Sequence, residues 1–221
     1  MKLVSSLHGR AMQGFNPDEA RSHQSTYLPT AVDMIKARYG FLTNSDLRTS
    51  ADAGVKFQSG RLQRQGEAEI AIENLDVYND GLLVVCRTTT EADIVLDDVI
   101  SWGQLAFQVR QPASPPPRLY SSWLVVDFDE PIAKLVAKFA IMKGLITAAH
   151  ERAYGMKLDF QFHRVSFNVD PSTLPLHTFT DYAMDRRGGA PYALNRFFCT
   201  APLKTEEHIQ LLSEIEANVL K

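Results

Sequence analysis

The sequence predicts an α+β fold in which helices pack on a mixed β-sheet. Three observations lead to this prediction: a strong turn signal between two extended segments, two long helical stretches that each connect extended segments, and an amphipathic stretch near the C-terminus. Turn signals favour antiparallel hairpins at both ends of the sheet, whereas strand–helix–strand crossovers favour parallel pairing between them. Residues 28–221 are expected to form one α+β domain.

Residues 1–27 are predicted to be an N-terminal arm preceding that domain. The segment is polar and has no period of two or of 3.6, and Gly9, Gly14 and Asn16-Pro17 interrupt it. We expect such an arm to be held in place either by packing on the domain or by a partner.

The first helix is predicted over residues 28–39, because its apolar residues recur at helical spacing and Gly40 follows them. From residue 55 the pattern becomes extended. Its apolar alternation shifts by one position near Glu73-Asn74, which predicts a bulge there.

The best turn signal in the chain is the tripeptide Asn79-Asp80-Gly81, which directly precedes an apolar run at residues 82–87. This composition suits a type I′ turn, whose two central residues have positive φ, and so predicts a β-hairpin. A helix capped by the threonines at 88–90 is predicted to run to Phe107. Residues 119–128 are apolar on both alternating faces, as in a central strand.

A second long helix is predicted from about residue 131 to the glycine at 155. Its apolar residues form one core-facing stripe: Ile132, Leu135, Val136, Phe139, Met142, Ile146 and Ala149. Extended segments at about 157–169 and 176–184 follow it. A last amphipathic helix begins at Thr205, with acidic residues in its first turn.

The composition is that of a globular protein, with 45% hydrophobic and 22% charged residues. Because 23 Lys and Arg face 26 Asp and Glu, the formal net charge of −3 provides no global attraction to nucleic acid or anionic lipid. Cys86 and Cys199 lie in apolar runs and are predicted to be core residues in a reducing compartment. We recognise neither a signal peptide nor a membrane span, so a cytoplasmic location is expected.

The motifs of the common enzyme classes are absent from the sequence. It contains no G-x-G-x-x-G, no G-x-x-x-x-G-K-[ST], no H-E-x-x-H, no G-x-S-x-G and no C-x-x-C. We therefore expect no cofactor, and the sequence leans against an enzyme. Asp97 and Asp98 are adjacent on a helix and point about 100° apart, so a solvated helix face is favoured over a carboxylate pair. Asp127, at a strand end, is left without a role.

One group of polar residues has the chemistry of a metal site. Asp159 and His163 share a face of a predicted strand, and Asp170 and His177 lie on the following turn and strand. Two histidines and two aspartates can bind a divalent metal. The solvent face of an amphipathic strand has the same composition, and we favour that interpretation.

The most distinctive loop is Arg186-Arg187-Gly188-Gly189. Two guanidinium groups beside two glycines allow close approach to a phosphate, a nucleic-acid backbone or an acidic partner. Aromatic residues and a third arginine follow, as is typical of protein interfaces. The residues predicted to bind a partner are Arg186, Arg187, Tyr192, Arg196 and Phe197. A turn with two exposed arginines is the simpler alternative.

Three functional hypotheses follow from these features. The favoured one is a non-enzymatic interaction or structural subunit, which binds a protein partner or a second copy through the N-terminal arm and the C-terminal region rich in arginine and aromatic residues. The second is a nucleic-acid-binding protein that uses Arg186, Arg187 and Arg196. The third is a metal-dependent hydrolase built on the Asp159, His163, Asp170 and His177 group.

Overall fold

The computed structural model describes residues 1–15, 28–44, 54–110, 117–130, 139–158, 161–168 and 180–220. The described strands are β1 (Lys2–Gly14), β2 (Thr43–Asn44), β3 (Val55–Leu62), β4 (Ile70–Tyr78), β5 (Gly81–Cys86), β6 (Leu119–Asp127), β7 (Arg164–Phe167), β8 (Tyr182–Arg186) and β9 (Arg196–Ala201). The α-helices are α1 (Leu28–Tyr39), α2 (Thr89–Phe107), α3 (Phe139–Tyr154) and α4 (Thr205–Ile215). The predicted α+β class is confirmed. Within the described residues, no helix has both the length and the apolar character needed to cross a lipid bilayer.

The strands form one sheet in the order β2-β3-β4-β5-β1-β6-β9-β8-β7. Each pairing whose register is described is antiparallel. The parallel pairs expected beside the two crossovers are not among them, because β1 lies between β5 and β6, and β9 and β8 lie between β6 and β7. The sheet is therefore antiparallel where a mixed one was predicted, although both crossovers and the hairpins at both ends are present.

The N-terminal residues form a long strand inside the sheet. β1 pairs with β5 from Gly9 opposite Cys86 to Gly14 opposite Gly81. Only Gly9, Ala11 and Gln13 of this strand are buried, so its own apolar pattern is weak. Strand formation here depends on hydrogen bonding to neighbours and not on a hydrophobic face, which explains why the sequence pattern suggested an arm. Residues 16–27 of the predicted arm lie outside the described residues.

The chain divides into two compact units. The N-terminal unit comprises Ser6–Trp123 and Pro202–Thr205, and the C-terminal unit comprises Met1–Ser5, Leu124–Ala201 and Glu206–Lys221. In the N-terminal unit, α1 and α2 bury apolar side chains against β3, β4 and β5. This core includes Val32, Tyr39, Phe57, Ile72, Leu75, Val84, Cys86, Val95 and Leu96.

Local signals in the N-terminal unit behave largely as predicted. Thr88 caps α2 in a capping box: its hydroxyl accepts from the Glu91 backbone N–H, and the Glu91 carboxylate accepts from the Thr88 N–H. β4 and β5 form the predicted hairpin, with Tyr78 opposite Gly81. Neither Asn79 nor Asp80 has positive φ, so the type I′ prediction was wrong in its detail.

The core of the C-terminal unit contains a strand that the sequence patterns did not suggest. β9 alternates cleanly, with Phe197, Cys199 and Ala201 buried. Phe197 and Cys199 pack in a core with Leu124, Val126, Phe128, Met184 and Leu212. Among the described residues of the segment expected to be extended over 157–169, the four-residue β7 is the one strand. β8 begins at Tyr182, within the strand predicted at 176–184, of which residues 176–179 lie outside the described residues.

Helix α3 differs most from its prediction. It ends as expected, with Gly155 in the left-handed region at φ 69°. Of the predicted core stripe, however, the two residues whose side chains are described, Ile146 and Ala149, are exposed. The apolar pattern of α3 is thus not matched by burial in the part of the chain that the structure describes.

Candidate interaction surface

The predicted Arg/aromatic loop joins β8 to β9 and is braced by Arg186. The Arg186 guanidinium lies over two aromatic rings, 4.3 Å from the Tyr192 ring centroid and 4.9 Å from that of Phe197. Its Nη1 donates to the Tyr192 carbonyl at 3.2 Å. Phe197 is fully buried beneath it. Both Arg186 and Phe197 therefore support the loop from within.

Arg196 is paired with Asp127, the strand-end residue for which the sequence predicted no role. Its guanidinium forms a bidentate pair with Asp127, Nε to Oδ1 at 2.7 Å and Nη2 to Oδ2 at 2.9 Å. This hydrogen-bonded guanidinium holds the pKa of the Asp127 carboxyl below its usual value. Arg187 and Tyr192 are exposed. Of the five predicted partner-binding residues, these two present their side chains to solvent most openly.

The three arginines of the nucleic-acid hypothesis differ in their contacts and in their exposure to solvent. Arg186 is stacked and Arg196 is paired with a carboxylate. Only Arg187 of the three is exposed. A phosphate-binding role for these residues stays a prediction.

The bidentate pair should contribute to stability in a pH-dependent way. Asp127→Asn is expected to lower the free energy of unfolding slightly at pH 7, because the variant loses the charge that Arg196 stabilises. Since the pKa of Asp127 is depressed from its usual 3.8, this contribution is present above pH 3.8 and is lost as the pH falls below it. Urea titrations of wild type and variant at pH 7 and pH 3 test this. A difference that persists at pH 3 would contradict the electrostatic explanation.

The predicted metal group falls mostly outside the described residues. Asp159, Asp170 and His177 all lie there. His163 is exposed, and its carbonyl accepts from the Arg186 backbone N–H at 2.9 Å. Among the residues that the structure does describe, no three His, Cys, Asp or Glu side chains are grouped to hold a metal ion.

The acidic face of α2 consists of separate ion pairs. Asp97 and Asp93 bind Arg118, with 2.9 Å between Asp93 Oδ1 and Nη1. Asp98 binds Arg38 at 2.9 Å. Asp97 and Asp98 thus diverge as predicted, although each has a partner and is not merely solvated.

Burial raises the pKa of both cysteine thiols, Cys86 and Cys199, as suits core residues.

The C-terminal unit has a second exposed surface, which the sequence did not predict. Five large apolar side chains of α3 and the segment after it are exposed, and we call them the α3 surface: Leu145, Ile146, Tyr154, Met156 and Leu158. Leu145 is 67% exposed and Tyr154 is 70% exposed. None of the side chains described between residues 143 and 158 is buried.

The α3 surface is held together locally and is bordered by charge. Thr147 Oγ1 donates to the Leu158 carbonyl at 3.2 Å, which fixes the segment after the helix against α3. Three cations, Lys143, Arg152 and Lys157, lie in this stretch with one anion, Glu151. A cation excess therefore surrounds the apolar side chains. Only Ile146 of this surface belongs to the apolar stripe that was assigned to the core, so the sequence pattern did not indicate the other four side chains.

Comparisons with known proteins do not assign this chain to a family. No family model matches the chain, and no curated protein matches it. Among solved structures, the Methanococcus jannaschii TBP is similar, with a TM-score of 0.44 and 14% sequence identity over 97% of this chain and 97% of that one. A similarity of this degree carries no argument about function.

Proposed function

We propose that this protein is a non-enzymatic subunit of a protein assembly and that it binds its partner through the α3 surface. The observation that carries the proposal is the exposure of five large apolar side chains on α3 and the segment that follows it. Large apolar side chains exposed close together in the sequence indicate a protein–protein contact site.

The energy available at this surface is adequate for specific binding. Burying one Leu, Ile or Met side chain contributes about 1.5–3 kcal/mol, and the α3 surface offers four such side chains and a tyrosine. Part of that gain offsets the cost of association. Leu145 has the largest exposed fraction of the four and is the expected anchor.

The charges around the α3 surface indicate the chemistry of the partner. Lys143, Arg152 and Lys157 outnumber Glu151, so the surface favours an apolar strip bordered by carboxylates. Arg187 and Tyr192 remain proposed contacts to the same kind of acidic partner. Complementary charge sets orientation and association rate, while the apolar anchors supply most of the affinity.

Photocrosslinking tests where the partner binds. A photoreactive phenylalanine analogue replaces Leu145 in the full chain, and the matched control carries it at Leu105 of α2, which is 84% exposed. In the cells that make this protein, we expect a discrete adduct from position 145 and none from position 105. Mass spectrometry of the adduct should place the contact in an apolar segment flanked by Asp or Glu.

Substitution then tests the affinity. Leu145→Lys is expected to weaken binding of the crosslinked partner by about 2 kcal/mol, because it places a charge against an apolar surface. Leu105→Lys should leave binding unchanged. Circular dichroism melts of both variants should match wild type, since both positions are exposed. Full partner affinity in Leu145→Lys would refute the proposal, whereas an adduct with a second copy would make the assembly homo-oligomeric.

A further inference from the structure

The N-terminal unit contains a cavity that shares no residue with the α3 surface. It lies between α1, α2 and the ends of β1, β4 and β5, and its volume is about 460 Å³. Sites for small molecules are concave, mostly apolar and about 300–1,000 Å³ in volume. The cavity therefore has the size of a small-molecule site.

Most of the cavity wall is apolar. Ile35, Leu82 and Val99 line the cavity and are buried in the hydrophobic core of this unit. Further apolar side chains of the lining pack against the same core and are only partly buried: Phe15, Val77, Ile100, Trp102 and Phe107. Because these side chains keep exposed apolar surface around a concave space, a ligand that covers them gains free energy from the hydrophobic effect.

Two aromatic rings of the wall are held in position by the protein. Trp102 and Phe107 of α2 meet edge to face with ring centroids 5.1 Å apart. The Tyr39 ring also meets Trp102 edge to face, with centroids 6.0 Å apart, and the Arg38 guanidinium lies 5.1 Å from the Trp102 centroid. Rings that are already positioned suit a flat ligand and lower the ordering cost of binding.

The charged groups of the described lining are compensated within the protein. The Arg118 guanidinium donates to Asp93 at 2.9 Å and also to Asp97. Arg110 has an interaction of its own. A charged ligand would lose its hydration here without gaining a counter-charge from these residues, whereas an uncharged apolar ligand has little hydration to lose. The lining therefore favours a neutral ligand.

We propose that this cavity binds a small, neutral, flat apolar molecule that packs against Trp102 and Phe107. The site belongs to the N-terminal unit, whereas the α3 surface belongs to the C-terminal unit. Different residues test the two proposals, so each can fail without the other.

Gly103 provides a variant that reduces the cavity. It lines the cavity, and a Cβ built on it would meet no heavy atom within 4 Å. Alanine and leucine both favour a helix more than glycine does, so neither substitution should unfold α2. Gly103→Leu places a large side chain at the cavity, and Gly103→Ala is the matched control. Circular dichroism melts of both variants check the fold.

Titration of the full chain with N-phenyl-1-naphthylamine, an uncharged fluorescent molecule with flat rings, tests the site. We expect saturable binding to wild type. Gly103→Leu should raise the dissociation constant by about tenfold or more, because leucine occupies volume that the probe needs, and Gly103→Ala should change it by less than about twofold.

Val109→Glu is a second variant that does not depend on how α2 accommodates a leucine. Val109 follows α2, is exposed and lines the cavity. A carboxylate at this position should raise the dissociation constant of the uncharged probe by about tenfold, because it draws water to the apolar wall.

A second probe tests whether the ligand is neutral. 1-Anilinonaphthalene-8-sulfonate has the same aromatic body and carries a negative charge. We expect it to bind about tenfold more weakly than the uncharged probe, because its sulfonate loses hydration without a counter-charge. Leu145→Lys is the control for both probes, which also bind exposed apolar surfaces, and it should leave both dissociation constants unchanged.

Unchanged affinity for the uncharged probe in both Gly103→Leu and Val109→Glu would overturn the proposal. A wild-type chain that does not bind this probe, or binding that only Leu145→Lys removes, would overturn it as well. Tighter binding of the sulfonate than of the uncharged probe would overturn the assignment of a neutral ligand.

Discussion

Replacing Gly9 with alanine is expected to lower the free energy of unfolding by about 3 kcal/mol, a large effect for one methyl group. Gly9 lies in β1 opposite Cys86, where the chain leaves β5 and enters α2. A Cβ built on Gly9 would lie 2.6 Å from Thr88 Cα and closer still to Thr88 C and Thr89 N. These are backbone atoms, so no side-chain rotation can relieve the clash.

The clash would fall on the residues that start α2. Thr88 is the N-cap, and its capping box with Glu91 depends on its present backbone position. Thr89 also exchanges hydrogen bonds with Thr205: the Thr89 N–H donates to Thr205 Oγ1 at 3.0 Å, and Thr89 Oγ1 accepts from the Thr205 N–H at 2.8 Å. Moving this backbone to make room for a methyl group would disturb both networks, which raises the cost beyond simple overpacking.

Gly14→Ala is the matched control for this prediction. It lies in the same strand, but a Cβ there would be 3.9 Å from its nearest neighbour, the Asp80 carbonyl oxygen. That is ordinary van der Waals contact, and strands disfavour glycine, so the free energy of unfolding should change by less than about 0.5 kcal/mol. Urea titrations at pH 7 compare the two variants. Equal midpoints would mean that β1 does not approach α2 this closely.

Acidification from pH 7.5 to pH 4.5 is expected to cost the protein about 2.5 kcal/mol through one histidine. His208 of α4 is 1% exposed. Burial lowers its pKa from 6.5 to about 4. The unfolded chain therefore binds a proton between these values that the folded chain does not. The stability associated with neutral His208 is complete above pH 6.5 and is lost as the pH falls toward 4.

His208→Gln isolates this contribution. Glutamine does not titrate, so the difference in stability between wild type and variant should shrink by about 2.5 kcal/mol between pH 7.5 and pH 4.5. Urea titrations at both pH values provide the comparison. The Asp127–Arg196 pair changes only below pH 3.8 and leaves this window clear. A constant difference between the two proteins would show that His208 titrates normally.

At the α3 surface, the sequence pattern predicted the helix correctly but assigned its apolar stripe to the core. The apolar spacing that predicted a helix through Ile146 and Ala149 identified the helix correctly. Apolar spacing indicates that one face of a helix needs an apolar neighbour. It does not indicate which molecule supplies that neighbour. Arg186 and Phe197 illustrate the reverse case. Their residue types suggested a contact surface, while the structure uses one to brace the loop and the other in the core.

The sequence by itself determined the elements whose signals are local. Examples are α1 with its end at Gly40, the capped start of α2 at Thr88, and the hairpin after Tyr78. Each depends on side-chain spacing, a cap or a turn within a few residues. The core of the N-terminal unit needed α1, α2 and three strands to meet, and no local pattern encodes that meeting.

Only the tertiary structure decided the strand order and the role of the N-terminal residues. β1 lies between β5 and β6, and this insertion separates the strands that the α2 crossover connects. The pairing of β1 with β5 depends on backbone hydrogen bonds to residues about 70 positions away in the sequence. Almost any side chain is compatible with these bonds, because the backbone supplies both the donor and the acceptor. That arrangement constrains the identity of Gly9 sterically, and its clash partners are visible only once β1 and α2 are side by side.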